Sequence, residues 1–213
     1  MVKLCIFDLD GTIADTIEDL ADSTNYALSN HGMLTHDVEK YKYFVGNGIP
    51  KLIERASLSD DDKLNAMLLD DFKKYYNTHL TDKTKAYTGM SEVLHKLIDR
   101  GTQCAVMSNK ADEFVGIILH KLYPDVKFLW YSGKRDDYPP KPDPTLLLKL
   151  INESGYDVKD CLYVGDSNVD IQTAKNAGIK SCGVLWGFRT KEELVGEGAE
   201  YIAEVPQDLL RYC

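Results

Sequence analysis

Two kinds of hydrophobic spacing divide the chain. Short apolar runs occur at Leu4-Cys5-Ile6-Phe7, Gln103-Cys104-Ala105-Val106-Met107, Lys127 to Tyr131, Cys161-Leu162-Tyr163-Val164, Ser181-Cys182-Gly183-Val184-Leu185 and, briefly, Tyr201-Ile202-Ala203. Their lengths and flanking turn signals predict buried strands. Between them, apolar residues recur at helical spacing: Val93, Leu94, Leu97 and Ile98; Phe114, Val115, Ile118, Leu119 and Leu122; Leu146, Leu147, Leu150 and Ile151; then a shorter helix through Ala174 and Ala177. Strands alternating with helices predict right-handed crossovers and an α/β fold with a parallel sheet covered on both faces.

From Asp15 to about Lys85 the spacing is helical only. A helix starts near Asp15-Thr16, with Glu18 and Asp19 in its first turn, and ends at Asn30-His31-Gly32. A second spans about Asp37 to Phe44. The turn Gly46-Asn47-Gly48 follows, and Pro50 suits the first turn of a third helix. A fourth is expected from Ser59-Asp60, with Leu64, Met67, Leu68, Phe72 and Tyr75 on one face. The predicted division is an α/β core of residues 1–14 and 85–213 and a helical insertion of residues 15–84.

Composition narrows the class. A chain of 213 residues with 44% hydrophobic and 28% charged residues reads as a soluble globular protein. The net charge of −9 argues against nucleic acid or an anionic membrane as partner, so an anionic substrate needs local lysines, backbone N–H groups or a metal. No apolar run approaches membrane-spanning length, and Leu4 opens a strand with no basic-then-apolar leader before it. The five cysteines lack metal-type spacing, and Cys5, Cys104, Cys161 and Cys182 sit in strand-like runs as small buried hydrophobes. The expected compartment is the cytoplasm. The histidines are scattered, and Asp60-Asp61-Asp62 reads as an acidic first helical turn.

Chemistry is expected where strands end. The first strand runs into Asp8-Leu9-Asp10-Gly11-Thr12, where two carboxylates at strand spacing face the same way. Gly11 allows a sharp turn, and Thr12 offers a hydroxyl and an N–H. Ser108-Asn109-Lys110 and Gly165-Asp166-Ser167-Asn168-Val169-Asp170 follow two other strands, and Lys141 is held between Pro140 and Pro142 before a helix. Four carboxylates, a fixed lysine and several donors suit a hard cation beside a phosphoryl group.

In order and spacing these four motifs resemble those of the haloacid dehalogenase superfamily across essentially the whole chain, and the helical insertion lies where members with a small helical cap carry it. The resemblance implies a three-layer, Rossmann-like parallel-sheet core with its first strand central and the cap closing over its edge. Asp10 favours phosphotransfer over dehalogenation. Carried over, Asp8 is the nucleophile and forms an aspartyl phosphate, while Asp10 protonates the leaving alcohol and later activates water. The resemblance further implies that Mg²⁺ would sit on Asp8, the main-chain carbonyl of Asp10 and Asp166, with Asp170 supporting ligands or waters from behind. Ser108 and Asn109 hold phosphoryl oxygens, and Lys141 offsets their charge.

The stretch Gly46-Asn47-Gly48-Ile49-Pro50-Lys51-Leu52-Ile53-Glu54-Arg55-Ala56 is similar to the cap of phosphoglycolate phosphatases, as are Tyr163 to Gly178 and Gly183-Val184-Leu185-Trp186-Gly187-Phe188. The expected substrate-binding set is Thr12, Gly46, Asn47, Gly48, Ser108, Asn109 and Lys141. The implied activity is Mg²⁺-dependent hydrolysis of a small phosphorylated metabolite, foremost 2-phosphoglycolate, by a monomer or homodimer. A sugar-phosphate mutase, a nucleotide or pyrophosphate hydrolase, or a non-catalytic binding protein on the same fold remains the alternative. Two stretches depart from the pattern: Ala86-Tyr87-Thr88-Gly89 lacks a proline before its glycine, and Tyr131 to Pro139 is an unfamiliar approach to Lys141. Arg189, after a strand-end loop, is read equally as reaching the mouth of the site or as a surface residue.

Overall fold

The computed structural model describes residues 2–213. Its elements in chain order are β1 (Leu4–Phe7), β2 (Ala14–Asp15), α1 (Ile17–Asn30), α2 (Val38–Phe44), α3 (Ile49–Ser57), α4 (Asp62–His79), β3 (Lys85–Ala86), α5 (Met90–Asp99), β4 (Gln103–Ala111), α6 (Asp112–Leu122), β5 (Tyr131–Lys134), α7 (Thr145–Glu153), β6 (Cys161–Gly165), α8 (Asn168–Ala177), β7 (Lys180–Val184), α9 (Lys191–Gly196) and β8 (Tyr201–Ala203). Six strands form one parallel sheet in the order β5-β4-β1-β6-β7-β8.

Alternation along β1 builds the three layers. Cys5 and Phe7 face a core shared with α5 and α6. Leu4 and Ile6 face the opposite core, with Leu146, Leu147 and Ile151 of α7 and Ala174 and Ala177 of α8. Every β1 residue is fully buried, which is why the run is apolar at successive positions. After β5 the chain returns to the other side of β1, so the strand order reverses there. The loops after β4 and β6 part to either side of the β1 end and leave a crevice.

Helices α1 to α4 pack together between β2 and β3, and their apolar residues join the α5 and α6 core in one cluster. The two-residue strands β2 and β3, absent from the sequence prediction, pair antiparallel with Asp15 opposite Lys85. The Asp19 carboxylate, expected only to favour a helix dipole, is buried and accepts from the N–H groups of Lys83 and Thr84, the latter at 2.8 Å. Both passages into the helical layer are thus tied together.

Other elements differ in register. The Asp61 side chain caps α4 by accepting from Lys63 N and Leu64 N, so the helix begins later than Ser59-Asp60. Its buried stripe is Leu68, Phe72 and Tyr76, while Met67 is exposed and Tyr75 stacks on Tyr26. Strand β5 begins at Tyr131, where the Lys127–Tyr131 prediction ends, although Leu129 N already donates to Cys104 O. Strand β4 continues through Ser108-Asn109-Lys110, with its pairing to β5 shifted between Met107 and Ala111. All five cysteines are free, and among the described residues no helix is long and apolar enough to cross a membrane.

Candidate active site

The crevice at the end of β1 collects most of the predicted side chains, while Thr12, expected to bind substrate, is fully buried with its hydroxyl toward Asp166 and does not line the cavity. Asp8 N still donates to Val164 O at 2.9 Å, so Asp8 leaves the sheet in strand geometry, and the chain then folds back through three N–H groups donating to Leu9 O. Gly11 sits at φ 83°, and a Cβ there would lie 2.3 Å from Asp166 Oδ2. A Cβ on Gly187 would lie 2.2 Å from the Asp166 Cβ. Both glycines are needed for the two loops to close on Asp166.

Lys141 is the buried hub. Its Nζ lies 2.7 Å from Asp170 Oδ1, 2.9 Å from Asp8 Oδ1 and 3.1 Å from Tyr163 Oη. The loop carrying it is fixed by Asn109, whose Oδ1 accepts from Lys141 N at 2.8 Å and whose Nδ2 donates to Lys141 O at 3.1 Å. The same amide reaches Gly46 O at 3.2 Å, joining the helical layer to the core. Asp170 Oδ2 accepts from Ser167 N and Oγ, closing a capping box at the start of α8. Both Asp170 oxygens are therefore already engaged.

Asp8 and Asp166 are less satisfied. Lys141 approaches Asp8 Oδ1 off the hydrogen-bonding direction, and this buried oxygen has no hydrogen-bond partner among the described residues. Asp166 Oδ2 accepts from Phe188 N at 2.7 Å, and its Oδ1 has only a long contact, 3.4 Å, from Thr12 Oγ1. Ligand atoms of Asp8, Asp166 and Asp170 lie within 4.8 Å of one another. Burial pushes the Asp8 carboxyl up to about 6 against the pull of Lys141, and Asp170 and Asp10 push it further in the same direction. Burial, then Asp170 and Asp8, likewise raise Asp166. Burial opposes the charge of Lys141, but Asp170 and Asp8 outweigh it and hold the ammonium protonated. An orphaned buried oxygen within converging carboxylates is a donor set that fits a hard divalent cation.

Asp10 sits beside this cluster. Its Oδ1 accepts from Thr16 Oγ1 at 2.6 Å and from Lys110 Nζ at 3.0 Å. Lys110 is buried, and its ammonium lies 4.9 Å from the centroid of the Tyr76 ring on α4.

The cavity is lined by Asp8, Asp10, Ser108, Asn109, Lys110 and Asp166 on the sheet side and by Leu20, Gly46, Gly48, Ile49 and Leu52 on the helical side. Its free space is only about 30 Å³. Of the predicted cap residues, Gly46 and Gly48 reach the cavity, but exposed Asn47 turns away to accept from Arg55. Arg189 also lines the cavity. It donates to Lys42 O and, at 2.9 Å, to Val45 O at the end of α2, so it lies at the mouth rather than on the open surface. Lys110, Thr16 and Tyr163 were outside the predicted site. Lys110 stood in the strand-end tripeptide, and its position beside Asn109 was the available signal.

The chain matches the haloacid dehalogenase-like hydrolase model over residues 5–184. It is 31% identical to a phosphoglycolate phosphatase of Pseudomonas syringae pv. tomato, an alignment covering 99% of this chain and 79% of that protein. A crystal structure from Lactobacillus delbrueckii subsp. bulgaricus superposes with a TM-score of 0.93 at 30% identity, covering 99% of this chain and 97% of that one. A predicted phosphoglycolate phosphatase from Haemophilus somnus gives a TM-score of 0.92 at 28% identity, with coverage of 99% and 97%. With its strand-end carboxylates gathered around one buried lysine, the chain belongs to the haloacid dehalogenase-like hydrolases.

Proposed function

We propose that this chain is a Mg²⁺-dependent phosphatase acting on a small phosphorylated metabolite, 2-phosphoglycolate before others, through an aspartyl-phosphate intermediate. The observation that carries the reading is Asp8 Oδ1: a buried carboxylate oxygen with no hydrogen-bond donor, at the end of the central strand and beside Lys141. Lys141 lies 2.9 Å away but makes no directed hydrogen bond to it, so the lone pairs of this oxygen remain available to act as a nucleophile. Asp8 attacks phosphorus, and the leaving oxygen takes a proton from Asp10. Asp10 then removes a proton from the water that hydrolyses the acyl phosphate. Lys141 balances the negative charge of Asp8 and the incoming phosphoryl oxygens. Ser108 offers its hydroxyl to one of those oxygens, and Asn109 holds the Lys141 loop in place.

Mg²⁺ would be held by Asp8, the Asp10 main-chain carbonyl and Asp166, with Asp170 supporting the site through Lys141 and Ser167. When bound, the cation neutralises the carboxylates and polarises the phosphoryl group.

Three observations favour a small acid as substrate. The relative from P. syringae, at 31% identity, bears the name phosphoglycolate phosphatase. The cavity is small, and Gly46 and Gly48 bring backbone at the start of α3 to its wall, where N–H groups favour an anion. With about 30 Å³ of free space the site is closed down in this arrangement, and residues 15–84 act as a cap that opens at β2 and β3 to admit substrate. Such a monomeric or homodimeric enzyme needs no nucleic-acid or membrane partner. A panel of phosphorylated metabolites assayed with and without Mg²⁺ tests the reading: 2-phosphoglycolate should give the highest kcat/KM, and a sugar phosphate or nucleotide at the head of the panel would refute the substrate.

A further inference from the structure

Asp10 is held from one side only. Its Oδ1 receives two short bonds, from Thr16 Oγ1 at 2.6 Å and Lys110 Nζ at 3.0 Å, whereas Oδ2 has a 3.4 Å contact with the same ammonium. The carboxyl is thereby fixed in rotation, and Oδ2 is the oxygen left to exchange a proton. Among the described residues Lys110 Nζ makes no other directed hydrogen bond: its remaining neighbour is Tyr76, whose ring centroid lies 4.9 Å away and whose buried hydroxyl faces the same ammonium without a directed bond. A buried lysine is costly unless it is paired, and among the described residues its one carboxylate partner is Asp10.

We propose that Lys110 is a positioning residue for the proton donor: it clamps Asp10 Oδ1 so that Oδ2 faces the leaving oxygen. This rests on the reading of Asp10 as the group that protonates the alcohol. The clamp draws on three elements: Lys110 comes from the end of β4, Thr16 precedes α1, and Tyr76 belongs to α4. The lysine is therefore sealed into its pocket by the helical layer, and its aim at Asp10 depends on α4 being docked. No proton leaves Lys110 in the cycle. Proton delivery from Asp10 breaks the Asp10 O–H bond as the ester P–O bond breaks, giving the neutral alcohol and the Asp10 carboxylate.

The test is leaving-group dependence. The ratio kcat/KM reports only steps up to alcohol release, so it isolates this proton transfer from the later hydrolysis. Wild type, Lys110→Met and Asp10→Asn are compared on an alkyl phosphate, which needs the proton, and on p-nitrophenyl phosphate, which does not. In kcat/KM, Lys110→Met should lose about 100-fold or more on the alkyl ester and under about 10-fold on the aryl ester. Asp10→Asn should show the same selectivity. Equal losses on both esters for Lys110→Met, with selective loss for Asp10→Asn, would overturn the clamp and leave the role of Asp10 standing. No selectivity in Asp10→Asn would overturn both. Should Lys110→Met not fold, Lys110→Gln, which keeps a donor in the pocket but no charge, is read against the same criterion.

Discussion

Lys141 Nζ lies closer to Asp170 Oδ1, at 2.7 Å, than to Asp8 Oδ1, at 2.9 Å, and of these two only the Asp170 contact is a directed hydrogen bond. Asp170 therefore holds the lysine beside the nucleophile without letting it bind that nucleophile fully. Asp170→Asn should release Lys141 onto Asp8 and loosen the capping box of α8. A fall of about 10- to 100-fold in kcat is expected, with KM changing less. Steady-state kinetics check this, and an unchanged kcat would show that Lys141 needs no second anchor.

The raised pKa of Asp8 has a consequence for stability. Its folded value of about 6 exceeds the ordinary 3.8, so the protonated form is favoured in the metal-free fold. The stability linked to this group is full below about pH 4 and is lost as pH rises through 6. At about 1.4 kcal/mol per pH unit, ionising Asp8 in the folded protein costs on the order of 1–3 kcal/mol at pH 8. In chelator at pH 8, Asp8→Asn should melt a few degrees above wild type, and the difference should vanish near pH 4. The same variant should have no measurable turnover. Melting curves across pH decide, and a lower melting point for the variant at pH 8 would mean that Asp8 is stabilised as the anion.

Much of this site could be read from the chain because strand ends are local. Asp8 and Asp10 follow a run whose burial on both faces the sequence states directly, and Asp166 and Asp170 likewise follow β6. Side chains that act across elements could not be read in that way. Arg189 reaches α2 from the loop after β7, and Lys110 finds Tyr76 on α4, contacts that no spacing encodes. The register of α4 is not legible in the spacing because Met67 is apolar yet exposed, whereas Tyr76 carries a hydroxyl yet is buried. Strands β2 and β3 are two residues long, below the length at which alternation can signal anything.

Arg189 bridges the core to the carbonyls of Lys42 and Val45, so it favours the closed arrangement of the helical layer. Arg189→Ala should raise KM about tenfold, with a smaller effect on kcat, since bonds from a charged donor contribute on the order of 1–3 kcal/mol. Substrate titration of the variant checks this, and an unchanged KM would remove Arg189 from closure.

Gly48 precedes α3 at φ 85°, and a Cβ there would lie 3.6 Å from Asn109 O. There is room for a side chain, but φ 85° with ψ 167° is a backbone region that essentially only glycine occupies, so a side chain there would strain the backbone by about 1–3 kcal/mol. Gly48→Val should therefore move the N–H groups at the start of α3 and raise KM for 2-phosphoglycolate more than for an aryl phosphate without a carboxylate. Equal effects on the two substrates would mean that this turn closes the site without reading the acid.

The most direct test of the account is the phosphoryl acceptor. In Asp10→Asn, p-nitrophenyl phosphate can still phosphorylate the enzyme, because its leaving group needs no proton, while hydrolysis of the intermediate lacks its base. Rapid mixing of this variant with Mg²⁺ and p-nitrophenyl phosphate should give a burst of p-nitrophenolate approaching one equivalent per active site. Acid-quenched protein should carry hydroxylamine-labile phosphate on the peptide containing Asp8. A burst with phosphate on another residue, or turnover retained in Asp8→Asn above about a hundredth of the wild-type rate, would contradict the account.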